Sequence, residues 1–280
     1  MYKLIAIDLD GTLLNSYGQI SEKNRNALNK AKEHNAEIII ASGRTTDSVR
    51  NIANDIGAKS YIICGNGSLI YDLQKEEIIY DKFIDKKKAL QIIEICEQNS
   101  IYYNIYAENM VITKTLNNNV LFYYQENASK PDNKKTKINI VQDIYKYVEE
   151  LENQHILKIT ISDSNSIIFN GIIRKLRNIK DIDVLDVAHM SRKIIKTGTE
   201  ETVIEYYYTE ITSKDVDKWG AIEKLADRLQ INKEEISNVY IKLSNNKTRK
   251  NCKKKFLWTI KPMRVITNSQ IVQKQAKKYS

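Results

Sequence analysis

The chain has 280 residues, 42% of them hydrophobic and 28% charged, the make-up of a soluble globular protein with one large domain or two moderate ones. Three widely spaced cysteines without a CxxC pair (Cys64, Cys96, Cys252) argue against a disulfide framework or zinc site, and with no visible leader or membrane-length apolar run they point to a cytoplasmic protein without a membrane partner. The formal charge of +9 is local: residues 239–280 hold 12 of the 44 basic residues and none of the 35 acidic ones, leaving 32 against 35 elsewhere, so the body offers no specific nucleic-acid surface.

Residues 2–8 read as a short apolar strand that ends in Asp8-Leu9-Asp10-Gly11-Thr12. Ser21 is a candidate N-cap for a helix to about His34, with Ala27, Leu28 and Ala31 on one face. A second buried strand, Glu37–Ala41, ends at Ser42-Gly43-Arg44. A helix from Thr46 to about Ile56 follows, with Gly57 as its C-cap. Tyr61–Cys64 is a third strand, ending at Gly65-Asn66-Gly67. Strands alternating with helices imply a doubly wound, Rossmann-like parallel sheet.

The pattern changes near residue 80. A helix is expected over Ala89–Gln98, then strands at Tyr102–Tyr106, Met110–Thr113 and Val120–Tyr124, and a polar loop over Asn127–Thr136. Asp143–Glu152 reads as a helix, Leu157–Ser162 as a strand, Ile167–Leu176 as a helix, and Thr202–Thr209 as an extended, Tyr-rich stretch. The α/β pattern resumes with a helix from about Lys218 to Leu229. The expected division is 1–80 and 209–280 for an α/β core and 81–208 for an inserted α+β unit. His34, His155 and His189 have no partner spacing and read as surface residues.

Asp8 and Asp10 stand two apart at a strand end, so their side chains share a face and can converge on one point. A carboxylate such as Asp8 can act as a nucleophile, splitting hydrolysis into two steps. Asp10 can protonate a leaving alkoxide and then activate water. Gly11 lets the backbone turn close to a ligand. Ser42 can donate to phosphate oxygens, or else only cap the following helix. Lys218, at a helix start, can neutralise phosphoryl charge beside the positive end of that helix. Arg44 reads equally as a surface ion-pair partner, and Asn66-Gly67 as a hairpin turn.

Four pieces in order, Asp8-Leu9-Asp10-Gly11-Thr12-Leu13-Leu14, Ser42-Gly43-Arg44, Cys64-Gly65-Asn66-Gly67 and Asp217-Lys218-Trp219-Gly220, give a chain that over about residues 1–238 resembles the haloacid-dehalogenase-like phosphatases, in the Cof-type branch with a large α/β cap. The resemblance implies Asp8, Asp10 and Lys218 as catalytic residues. It places Gly11, Thr12, Ser42, Gly43, Arg44 and Asn66 at the phosphate or substrate, and Mg²⁺ on Asp8 and Asp10. The partner it implies is a small phosphorylated metabolite, such as a sugar phosphate, attacked through an aspartyl-phosphate. It says nothing of oligomeric state.

One family feature is absent. A Gly-Asp-x-x-Asn-Asp strand end is expected near residues 240–247, where the chain reads Tyr240-Ile241-Lys242-Leu243-Ser244-Asn245-Asn246-Lys247. No acid follows to the end. A catalytically impaired, phosphate-binding remnant is therefore the alternative to an active enzyme. The segment 239–280 reads as a frame-shifted family C-terminus. Leu257–Ile260 written as CTA TGG ACA ATA encodes Met-Asp-Asn from its third base. Gln270–Gln275 written as CAA ATA GTG CAA AAG CAA encodes Asn-Ser-Ala-Lys-Ala in the same frame. The first is like the family's Met-x-Asn and the second like the family's ending. The gene's nucleotide sequence tests this, and stop codons in the shifted frame would end the idea.

Overall fold

The structure is a computed structural model that describes residues 2–15, 18–152, 155–185, 190–197 and 200–239. It opens with β1 (Leu4–Ile7), α1 (Glu22–Glu33), β2 (Glu37–Ala41), α2 (Thr46–Asp55) and β3 (Tyr61–Cys64). The strands are almost continuously apolar and buried, as strands covered on both faces must be. Ser21 caps α1, its hydroxyl accepting from the Asn24 amide at 3.1 Å. Past α2 the chain turns at Gly57, whose φ of +64° is cheap for glycine.

β4 (Leu69–Asp72) and β5 (Glu77–Asp81) extend this sheet as antiparallel hairpins. The sequence did not suggest them. They are short and broken by a register shift between Ile70 and Tyr71, so no clean alternation marks them. Then come α3 (Lys86–Gln98), β6 (Tyr102–Ala107), β7 (Val111–Thr113), α4 (Asn118–Ala128), β8 (Ile138–Ile140), α5 (Ile144–Glu150), β9 (Ile156–Asp163), α6 (Ser166–Leu176) and β10 (Ile182–Val184). The chain goes on through β11 (Met190–Thr197), β12 (Glu200–Ser213), α7 (Lys218–Arg228) and β13 (Ile236–Val239).

Val120–Tyr124, expected as a strand, lies inside α4. Its β-branched and aromatic residues favour strand locally, but Asn117 starts a helix by accepting from the Asn118 amide at 2.8 Å. Val120 and Tyr123, one turn apart, both pack on the core of the first sheet, so tertiary burial overrides propensity.

The first sheet runs β13-β1-β2-β3-β4-β5, with β13, β1, β2 and β3 parallel. From β1 the chain steps outward to β2 and β3, and it returns on the other side of β1 as β13. α1 and α2 cover one face and α7 the other. The order thus reverses at β1, where an open α/β sheet leaves a crevice beyond the strand ends. Asp8 is the first residue out of that strand.

The second sheet runs β10-β12-β9-β6-β7-β8, with β11 paired to β12. Its strands lie between residues 102 and 213, and β12 continues past 208 to Ser213. α3, α5 and α6 cover one face with an apolar core. The opposite face is polar yet buried, with Asn104, Lys158, Thr160 and Ser162 all 4% exposed or less. Apolar contacts join the sheets, since Tyr106, Val111 and Leu157 belong to the first sheet's core. Among the described residues no helix is long and apolar enough to cross a membrane. The end of the chain, 240–280, lies outside the described residues, and with it Cys252 and all but the first residue of the segment read as frame-shifted; so does His189.

Candidate active site

Asp8 follows β1 directly. Its Oδ1 accepts from the Leu9 amide at 2.9 Å and from Lys218 Nζ at 2.7 Å. Lys218 is the first residue of α7, which Asp217 caps by accepting from the Gly220 amide at 2.9 Å. The two charges are partly buried, with side-chain exposures of 23% and 31%. Packing of α7 on the sheet thus fixes the ammonium beside the carboxylate.

Gly11, in the turn after Asp10, has φ +72° and nothing within 4 Å of where a Cβ would stand, so a ligand can approach its backbone. Thr12 is buried, and its amide donates to the Leu9 carbonyl at 3.1 Å. This turn carries Asp10 back toward the end of β2. There Arg44 donates to both Asp10 oxygens, from Nη2 at 2.7 Å and Nε at 3.2 Å. Such a planar fork is the strongest geometry an Arg–carboxylate pair adopts.

Arg44 is not at the surface. Its side chain is 7% exposed, and Nη1 donates to both oxygens of Glu126 on α4 at 3.1 Å. Burial by itself opposes the cation, but the Asp10 carboxylate, the Tyr123 ring and Glu126 together raise its pKa and hold it ionised. The Arg44 guanidinium carbon sits 5.5 Å from the centre of the Tyr123 ring.

Ser42 is fully buried and does not cap α2, whose N-cap is Thr45. Its hydroxyl accepts from the Arg44 amide at 3.3 Å and its carbonyl accepts from the Asn66 amide at 3.0 Å. The ends of β2 and β3 are thereby tied together. Asn66 occupies a tight turn between β3 and β4 with φ +63°, so the hairpin reading is correct for the backbone. Its side chain does something else: Nδ2 donates to Glu210 of β12 at 2.5 Å. A Cβ on Gly43 would stand 2.5 Å from Asn66 Oδ1 and 3.0 Å from Lys158 Nζ, so a side chain there would have to displace the Asn66 amide.

Glu210 also accepts from Lys158 Nζ and from the Tyr208 hydroxyl. Burial alone would raise its pKa, but Lys158 and the three hydrogen bonds bring it below the ordinary carboxylate value. Lys158 lies over the Tyr106 ring at 4.4 Å. Lys158, Glu210, Tyr123 and Glu126 escaped the reading of the sequence. A signal existed for Lys158, the one charge inside the Ile156–Ile161 stretch, in period-two register with the polar Thr160 and Ser162. None exists for Glu126, although it is the one acid of α4, because nothing near it in the chain marks its partner. His155 also gains partners: it stacks on Phe83 at 4.2 Å and meets Glu108 at 3.1 Å.

The chain from residue 5 to residue 238 matches the model of the haloacid dehalogenase-like hydrolases. It belongs to that family. Within it the chain is a hydrolase of Cof type, with an α/β sheet and a second sheet. Two curated relatives from Bacillus subtilis (strain 168) are similar to parts of it. Phosphatase YwpJ is 39% identical over 111 residues, 40% of this chain and 39% of that protein. The 5-amino-6-(5-phospho-D-ribitylamino)uracil phosphatase YcsE is 44% identical over 70 residues, 25% of this chain and 28% of that protein. The matches thus span well under half the length of these relatives. A solved haloacid dehalogenase-like hydrolase from B. subtilis superposes with a TM-score of 0.65 at 23% identity, covering 84% of this chain and 82% of that one, which shows a shared fold.

The oxygens at hand for a hard cation are the carboxylate of Asp8 and the groups of Asp10. Lys218 and Arg44 already occupy three of their four side-chain oxygens. Among the described residues no group of three His, Cys, Asp or Glu side chains comes together to hold a metal. The sequence from 239 onward supplies no further carboxylate. Mg²⁺ demands near-octahedral oxygen coordination, usually with carboxylates and substrate phosphate. This donor set does not fit it.

Proposed function

We propose that the chain is a phosphatase for a small phosphorylated metabolite, acting through an aspartyl-phosphate on Asp8. The observation that carries this reading is the Lys218 ammonium 2.7 Å from Asp8 Oδ1 at the reversal point of the sheet. A cation there offsets the repulsion between the attacking carboxylate and an anionic phosphoryl group. Attack by Asp8 on phosphorus forms the acyl-phosphate bond and breaks the ester P–O bond. Asp10 in its protonated form gives the leaving alkoxide that proton and is left as the carboxylate that Arg44 holds; the carboxylate then takes a proton from the water that attacks the aspartyl-phosphate, which restores the acid. The free Gly11 backbone, Thr12, the Ser42–Arg44 turn and Asn66 would surround the phosphoryl oxygens, since such transfers depend mostly on positioning and charge neutralisation.

A small substrate is favoured because the second sheet lies against the Gly43 and Asn66 turns through Lys158 and Glu210, leaving these turns closed to a phosphoprotein. On this basis we assign an inserted cap from residue 81 onward, its last strand β12 running past the expected boundary at 208 to Ser213, between core parts 1–80 and 214–239. YcsE, whose name gives a phosphorylated ribityl compound as substrate, supports the metabolite class. No step is routed through Mg²⁺, because the described donors do not complete its site.

That same shortfall favours a second reading, an impaired remnant that binds phosphate without turnover. Hydrolysis of p-nitrophenyl phosphate, with and without Mg²⁺, by this chain and by Asp8→Asn separates the two. Phosphatase chemistry predicts turnover that falls at least about a thousandfold in the variant. No turnover in either protein, with inorganic phosphate still bound in calorimetry, would establish the remnant. Neither turnover nor phosphate binding would reject both.

A further inference from the structure

Arg44 is held from two sides by different parts of the fold. Its Nε–Nη2 edge meets Asp10 at the end of β1, and its Nη1 corner meets both Glu126 oxygens on α4. Tyr123, one turn earlier on α4, flanks the same guanidinium. Glu126 is itself anchored by Lys130 at 2.8 Å. The Asp10 side chain is 63% exposed, so packing alone does not fix its carboxylate. The guanidinium is rigid and planar, so fixing one corner fixes the plane in which the other edge donates.

We infer that Glu126 is a positioning residue: through Arg44 it sets the orientation of the Asp10 carboxylate, so that seating α4 on the first sheet is a condition for a competent site. This rests on the phosphatase reading for its catalytic consequence but not for its geometry. A carboxylate that must present a proton to a leaving oxygen and then draw one from water has to keep a defined direction, and misplacement by about 1 Å can cost about a hundredfold in rate. Glu126 supplies that direction from a helix of the second-sheet region. A site with α4 lifted would keep Asp8 and Lys218 paired, since both lie outside it, but would lose the lock on Asp10.

The test compares Glu126→Ala, Glu126→Gln and a control, Lys134→Ala. Lys134 makes another ion pair across to the first sheet's helices, 2.6 Å from Asp55, without touching Arg44. Two readouts are taken on the full chain: exchange of the Arg44 Nε–H by ¹⁵N NMR, and kcat and KM for p-nitrophenyl phosphate. In Glu126→Ala the Nε–H should exchange at least about tenfold faster. The kcat should fall about tenfold or more, with KM within about twofold. Glu126→Gln, which keeps one acceptor of the same size for Nη1, should recover part of both. Lys134→Ala should match the parent protein. Unchanged Nε–H exchange in Glu126→Ala would overturn the inference, as would equal effects in Lys134→Ala, which would mean general seating only. If the parent chain hydrolyses nothing, the phosphatase reading fails by itself, and the Nε–H exchange still decides whether Glu126 governs Arg44.

Discussion

Glu210→Ala should be among the most damaging single changes in this protein, although Glu210 belongs to none of the motifs. The carboxylate accepts from Lys158, Tyr208 and Asn66, and the Lys158 side chain is only 5% exposed. Hydrogen bonds to a charged group are worth about 1.5–3 kcal/mol each. Three at full value overstate the loss, because they share one acceptor. The Tyr106 ring, 4.4 Å from the Lys158 ammonium, also softens the penalty of leaving that charge without its partner. Breaking a buried pair from one side costs about 3–5 kcal/mol. We expect about 3–4 kcal/mol here, which at roughly 2–4 °C per kcal/mol for a chain of this size lowers Tm by about 10 °C. Urea unfolding followed by circular dichroism gives the number directly. The double variant Glu210→Leu with Lys158→Met removes both charges and should recover most of the loss, since apolar replacements of a buried pair are often neutral or better. A single-variant loss below about 1 kcal/mol, or a double variant as unstable as both singles added, would refute the claim that an unpaired buried charge drives the effect.

Two further outcomes follow from the same geometry. Gly67 has φ +103°, and a Cβ there would stand 2.7 Å from the Asp217 carbonyl carbon and 3.2 Å from the Lys218 amide nitrogen; Gly67→Ala should therefore cost about 2–3 kcal/mol by urea unfolding and reduce turnover by displacing Lys218, and a neutral result would contradict the close approach. The depressed pKa of Glu210 contributes stability that is present above its unfolded-state value, an ordinary 4.5, and lost as pH falls toward its folded-state value; the fall in Tm on acidification below about pH 5 should be shallower in Glu210→Gln than in the parent protein, and parallel curves would show that Glu210 carries no such linkage.

The α/β core and its strand ends were legible because they depend on local patterns. Leu4–Ile7, Ile38–Ala41 and Ile62–Cys64 are apolar runs too short for helices, and each stops at small or polar residues. Ser21 and Gly57 mark helix ends by chemistry that acts within three or four residues. The catalytic candidates Asp8, Asp10 and Lys218 and the phosphate-binding candidate Ser42 stand out in the sequence for the same reason, each tied to a strand end or a helix start. The strand expected at Val120–Tyr124 failed where burial of Val120 and Tyr123 on one helical face outweighed their β preference.

By itself, then, the sequence determined an alternating core with two acids at the end of its first strand, because strand period and cap chemistry are local and independent of what packs around them. It also determined that no carboxylate follows residue 238. Tertiary structure alone decided which charges meet. Lys218 reaches Asp8 across 210 residues, Glu126 reaches Arg44 across 82, and Asn66 reaches Glu210 across 144. Such pairs carry no periodic signal, since an ion pair depends on where two surfaces dock and not on the residues beside each partner in the chain. Arg44 shows the difference most plainly: its motif marks the end of β2, but only the packing of α4 turns it from a surface cation into a buried fork holding Asp10.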